Sequence, residues 1–140
     1  MNPIIYHNPD CGTSRNVLRA LEAAGYVPEV AEYLLVGWTR AQLVDLFARA
    51  GATPRQALRR KGSPAAELGL LEPDIGDDVL LDAMVAQPIL VERPFVVTDK
   101  GVRLCRPSEA VLALIDRWPP APFAKEDGSL MIDAEGNVVL

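Results

Sequence analysis

The stretch Ile4-Ile5-Tyr6-His7-Asn8-Pro9-Asp10-Cys11-Gly12-Thr13-Ser14-Arg15-Asn16-Val17-Leu18 opens on a β-prone run, breaks at an Asn-Pro-Asp turn and resumes with helical periodicity. It predicts a short strand over Ile4-Ile5-Tyr6, a loop from His7 to Asp10, and a helix starting near Cys11. That helix carries Val17, Leu18, Leu21 and Ala24 on one face, with Gly25 as its C′ residue. A second strand is predicted over Val27 to Leu34, with Val30 and Tyr33 as core residues.

Beyond this β-α-β unit the middle third reads as helical, an insertion of about residues 39–87. Thr39-Arg40-Ala41-Gln42 is a capping box opening a helix with Leu43, Leu46 and Phe47 on one face, stopped by Gly51. Thr53-Pro54 and Ser63-Pro64 each place an N-cap residue before a proline at the first helical position, and Asp77-Asp78 starts a helix through Val79, Leu80 and Met84 to Gln87-Pro88. The period then changes: Phe95–Thr98 and Val102–Leu104 flank Asp99-Lys100-Gly101 as a β-hairpin. Pro107-Ser108-Glu109 starts a last helix with Val111, Leu112, Leu114 and Ile115, terminated at Trp118-Pro119-Pro120. The tail from about residue 119 is expected to be peripheral. A βαβ unit and a ββα unit around one small mixed sheet flanked by helices make an α/β, thioredoxin-like (glutaredoxin-like) fold, expected as a single domain over 1–140.

Composition agrees with an ordinary domain. The 140 residues are 49% apolar and 24% charged, too hydrophobic for a disordered chain. The formal charge of −5 makes nucleic acid and anionic membrane poor default partners, so an anion site would be a local cluster of cations working against the overall field. The N-terminal residues are too polar for a signal peptide, and no apolar run reaches bilayer length. Two distant cysteines, Cys11 and Cys105, form no disulfide framework, and a reducing cytoplasm fits best. With one histidine besides, a structural zinc site is excluded on ligand count; no metal is expected.

Cys11 is the residue with the most chemistry. At a helix start, the unpaired N–H groups of Gly12, Thr13 and Ser14 point toward its sulfur and favour thiolate over thiol. An unperturbed cysteine is only about 3% thiolate at pH 7; lowering its pKa by about two units, worth about 2.7 kcal/mol, makes thiolate the major form. The same amides suit an oxyanion in front of the sulfur. The spacing excludes two other thiol chemistries: a Cys-x-x-Cys dithiol has Ser14 where its second cysteine belongs, and a Cys-x5-Arg phosphatase loop has Val17 where its arginine belongs. His7 fits either a cationic neighbour of the thiolate or a loop-bracing hydrogen bond. Ser14 fits a bond to the sulfur or to local backbone. Asp10 would raise the thiol pKa facing the sulfur, or organise the loop as an N-cap.

These residues, with Ala57-Leu58-Arg59-Arg60-Lys61, Pro88-Ile89-Leu90, Arg93-Pro94 and Arg103-Leu104-Cys105-Arg106-Pro107-Ser108-Glu109, make the chain resemble the glutaredoxin-linked arsenate reductases from Ile4 to about Gly136. The resemblance implies that Cys11 attacks arsenate and that Arg59, Arg93 and Arg106 bind the oxyanion. Arg60 adjoins the first of these, but the spacing back from Glu67-Leu68-Gly69-Leu70 favours Arg59. His7, Gly12, Thr13 and Ser14 become supporting residues, Pro94 the proline held cis beside the cysteine, and Cys105 a non-catalytic, structural cysteine. Glutathione is implied as co-substrate and glutaredoxin as partner, with no tightly bound cofactor. The chemistry is coherent: planar guanidinium groups grip an oxyanion in pairs of hydrogen bonds and lower the thiol pKa. Two other readings occupy the same scaffold, a thiol-transfer protein and a polymerase-binding regulator without arsenate reductase activity. The complete arginine set and Ser14 in place of a second cysteine speak against them.

Overall fold

A computed structural model of the chain describes residues 2–139. It divides into two compact units, Met1–Glu32 with Arg93–Leu140, and Tyr33–Glu92.

The first unit is built on a four-stranded mixed sheet of order β2-β1-β3-β4, formed by β1 (Ile4–Tyr6), β2 (Glu29–Ala31), β3 (Phe95–Thr98) and β4 (Gly101–Leu104). β1 runs parallel to β2, which requires a crossover, and α1 (Gly12–Ala23) supplies it. β3 runs antiparallel to β1 and β4 antiparallel to β3, joined by the tight turn at Asp99-Lys100. The register pairs Tyr6 with Phe95 and Phe95 with Leu104. The segments just beyond those residues, His7 to Cys11, Arg93-Pro94 and Cys105-Arg106, therefore leave the sheet at one end. This is the thioredoxin-like arrangement expected from the order of elements.

α1 buries Val17, Ala20 and Leu21, spaced as one helical face, against Ile5, Val96, Val111, Leu112, Leu114 and Ile115. Its C-terminus is closed as predicted, with Gly25 in the left-handed region at φ 92°. In the second unit, α2 (Tyr33–Val36), α3 (Arg40–Ala50), α4 (Pro54–Ala57) and α5 (Asp77–Ala86) precede a 3-10 turn at Pro88–Leu90. Thr39 with Gln42, and Thr53 with Gln56, form complete capping boxes. Leu43, Leu46 and Phe47 of α3 are buried, as are Leu80, Leu81 and Met84 of α5.

Four expectations are corrected. The second strand covers only Glu29–Ala31, and Val30 is 43% exposed because β2 is the sheet edge; Tyr33 is buried, but as the first residue of α2. Ser63-Pro64 starts one turn, not a helix: Leu68 N–H reaches Pro64 O, and Gly69 at φ 72° ends the run. The segment after Pro107 is a 3-10 helix, Ser108–Leu114, ended where Thr98 Oγ1 donates to Leu114 O (2.6 Å). The tail pairs β5 (Phe123–Ala124) with β6 (Leu130–Ile132) and places Met131 and Ile132 in the core. Lys125 Nζ also reaches the buried Glu109 carboxylate at 2.9 Å. Alternation of so short a strand beside turn-rich sequence left that burial unmarked. Among the described residues, no helix is long and apolar enough to cross a membrane.

Met131→Ala is expected to destabilise the fold by about 2–5 kcal/mol. The neighbouring Leu130→Ala, at a side chain 37% exposed, should cost under about 1 kcal/mol. Denaturant unfolding of the two variants measures the difference; equal losses would show that the tail is not core.

Candidate active site

Cys11 is the N-cap of α1, in extended backbone (φ −101°, ψ 120°) and without a conventional side-chain cap. Its carbonyl accepts the Arg15 N–H at 2.9 Å, the first bond of the helix, and its own N–H donates to Asn8 O at 3.1 Å. The residue is 8% exposed. Burial is the largest single influence on the thiol and pushes its pKa up. Opposing it are the Ser14 backbone N–H, a hydrogen bond and the charge of Arg93, and a hydrogen bond from Arg106. Together these hold Cys11 below the ordinary thiol range.

The two arginines arrive from the ends of neighbouring strands. Arg106 Nη1 lies 3.7 Å from Cys11 Sγ and donates to Arg93 O at 3.0 Å, so one guanidinium braces both the sulfur and the strand entry. Arg93 lies two residues before the first residue of β3, with the Arg93–Pro94 peptide cis. It is 7% exposed, and its Nε and Nη1 are buried without a hydrogen-bond partner among the described residues. Leaving buried donors unsatisfied costs about 1–3 kcal/mol each, more for a charged group. A cationic fork in that condition beside a thiol of lowered pKa is suited to receive an anion.

His7 and Ser14 form a brace beneath the cysteine. His7 Nδ1 and Ser14 Oγ are 2.6 Å apart, and Ser14 Oγ also accepts the Asn8 N–H at 3.1 Å. Burial, the leading cause, lowers the His7 pKa and keeps the ring neutral at pH 7. Of the two roles open to His7, the structure supports the brace rather than the cation. Ser14 divides its groups: the hydroxyl serves His7 and the loop backbone, while the main-chain N–H bears on the sulfur. The Gly12 and Thr13 amides open the first helical turn. Asp10 is exposed, its N–H donating to Asn8 Oδ1 at 2.9 Å, and the N-cap position belongs to Cys11.

Asn8 and Arg15 are structural contributors that sequence reading had not singled out. Asn8 is 2% exposed and ties three points of the loop, an Asx-type turn that the Asn-Pro-Asp motif could have signalled. Arg15 donates to Pro9 O (2.8 Å) and pairs with Glu126 (2.9 Å), a partner 111 residues away that no local pattern marks. Arg59 belongs to the Tyr33–Glu92 unit, where its Nη1 contacts Glu92 Oε1 at 3.0 Å and its Nε donates to Lys61 O at 2.7 Å. Cys105 is fully buried, and burial pushes its thiol up to about 12, which leaves it protonated.

Comparisons with known proteins find relatives over most of the chain. Residues 6–114 match the ArsC family. The chain is 66% identical over 136 residues to the arsenate reductase ArsI2 of Synechocystis sp., covering 97% of each chain. It is 52% identical over 140 residues to an arsenate reductase of Rhizobium meliloti, covering both chains completely. Among solved structures, an arsenate reductase from Vibrio cholerae superimposes with a TM-score of 0.77 at 38% identity, over 82% of this chain and 98% of that one.

Alkylation of the native protein by iodoacetamide should modify Cys11 alone, with a rate midpoint below the ordinary thiol range. Arg93→Gln should move that midpoint to higher pH, whereas Cys105 should react only after unfolding. The sign for stability follows. Because the Cys11 pKa is depressed in the fold, its ionisation stabilises the native state above the ordinary thiol pKa. That contribution disappears as pH falls through the depressed value. An unshifted midpoint in Arg93→Gln would remove the guanidinium from the account.

Proposed function

The chain belongs to the ArsC family, and from that premise we propose that it is an arsenate reductase, reducing arsenate to arsenite with glutathione and glutaredoxin through the Cys11 thiolate. The observation that carries the reading is the buried Arg93 guanidinium, with Nε and Nη1 unpartnered, beside a thiol held below its ordinary pKa.

In the cycle we propose, Arg93 and Arg106 receive the arsenate oxygens, with Arg59 as a third ligand. Their charge offsets the repulsion between oxyanion and thiolate. The Cys11 sulfur attacks arsenic, a sulfur–arsenic bond forms, and an arsenate oxygen leaves as water after protonation. The thiolate of glutathione displaces a second oxygen as water, giving an arsenic(V) centre that carries both sulfurs. A glutaredoxin thiolate then attacks the glutathione sulfur. A glutathione–glutaredoxin disulfide forms, the electron pair of the broken arsenic–sulfur bond stays on arsenic, and arsenic(V) becomes arsenic(III). Water finally cleaves the Cys11–arsenic bond and releases arsenite and the free thiol. Two external thiols thus supply both electrons, in keeping with a protonated, buried Cys105. His7, Asn8 and Ser14 serve as positioning residues for the loop. A pool of reduced glutathione also makes the cytoplasm the fitting compartment.

The test is NADPH consumption coupled through glutathione and glutaredoxin to arsenate reduction. Wild type should turn over, Cys11→Ser should abolish activity, and Arg93→Ala should lower kcat/KM by about 10²–10³-fold. Inactivity of the folded, reduced wild type would defeat the substrate assignment.

A further inference from the structure

Arg93 and Arg59, two of the arginines assigned to the oxyanion, stand in opposite conditions. Arg93 is buried with two donors unpartnered, whereas Arg59 is held by an internal carboxylate. The Arg59–Glu92 pair is pinned from the backbone up. Leu58 and Val91 form an isolated antiparallel bridge, Arg59 N–H donates to Leu90 O at 2.7 Å, and Glu92 N–H donates to Ala57 O at 2.8 Å. Those bonds set Arg59 opposite Leu90 and Glu92 opposite Ala57, so the two side chains are diagonal neighbours across the bridge, and both are only 20% exposed.

The donor geometry makes the pairing consequential. A guanidinium offers a bidentate grip along two edges, Nη1 with Nη2 or Nε with Nη2. Glu92 Oε1 takes one N–H of Nη1 and Lys61 O takes the single N–H of Nε, so Nε is committed and Nη1 keeps one donor. A bidentate hold through Nε requires Lys61 O to give way, and one through Nη1 and Nη2 shares Nη1 with Glu92. Glu92 is the one that adds repulsion, because its negative charge sits on the same guanidinium that an oxyanion would approach.

We propose that Glu92 is an affinity-setting residue of the enzyme: its carboxylate occupies Arg59 until the substrate oxyanion displaces it, so arsenate competes with an internal anion. This rests on the assignment of Arg59 to the substrate. Removing the charge while keeping the shape frees Arg59, improves binding of the oxyanion and leaves the thiol chemistry untouched.

Steady-state arsenate kinetics on five proteins test it: wild type, Glu92→Gln, Glu92→Ala, Arg59→Ala and the Arg59→Ala/Glu92→Gln double variant. Glu92→Gln is expected to lower KM for arsenate roughly three- to tenfold, with kcat little changed. Glu92→Ala, which also removes the acceptor, should lower KM in the same direction. In the Arg59→Ala background the Glu92→Gln substitution should have no effect on KM. A second readout, the arsenate concentration that half-protects Cys11 from alkylation, should fall in parallel without any turnover. If Arg59→Ala raises KM but Glu92→Gln leaves it unchanged or raises it, competition by Glu92 is overturned and the assignment of Arg59 survives. If Arg59→Ala leaves KM at the wild-type value, both are overturned.

Discussion

Everything at the site turns on holding one buried thiol below its ordinary pKa in a place that water barely reaches. Burial of Cys11 works against the thiolate, and the Ser14 amide, Arg93 and Arg106 reverse that preference. None of these groups is adjacent in sequence to all the others. They meet because antiparallel pairing aligns Tyr6, Phe95 and Leu104, so that one loop and two strand ends leave the sheet together. Slipping β3 by one residue would turn Val96 away from the core and carry Arg93 off the sulfur. The core and the chemistry therefore constrain the same register.

The two cysteines make the point that reactivity belongs to surroundings rather than to residue type. Cys105 lies in the apolar cluster with Ile5, Val17 and Val96 and has Arg103 O as its weak acceptor at 3.8 Å. Burial dominates there and the thiol stays protonated. Cys11 is also buried, but against amide and guanidinium donors. Burial without donors leaves a thiol protonated; burial among cations lowers its pKa.

What could be read from the sequence was what depends on neighbours in the chain. The Asn-Pro-Asp-Cys-Gly loop, the Thr39 and Thr53 capping boxes and the hairpin around Lys100 are local grammars of turn and helix start, and they stand where expected. What escaped depended on distant partners. Val30 alternates like a core residue but falls on an edge strand, a fact about sheet order rather than composition. Met131 sits among turn signals and is nonetheless fully buried, because it joins the core cluster that holds the buried face of α1 and the 3-10 helix. Arg93 and Arg106 could be placed together because both flank one hairpin. The partner of Arg59 could not, since Glu92 lies 33 residues on and is brought near only by the Leu58–Val91 bridge.

The unit that holds Cys11 is discontinuous, Met1–Glu32 closing on Arg93–Leu140. Chains are made from the N-terminus, and domains fold as units. While the first ninety or so residues emerge from the ribosome, β1 has no β3 to pair with, and neither Arg93 nor Arg106 exists. During that interval Cys11 is an unremarkable, mostly protonated thiol, slow toward oxidants and electrophiles. The share of its acidity that Arg93 and Arg106 supply is acquired only when the last third of the chain arrives, so the nascent protein carries this thiol in a dormant form until completion.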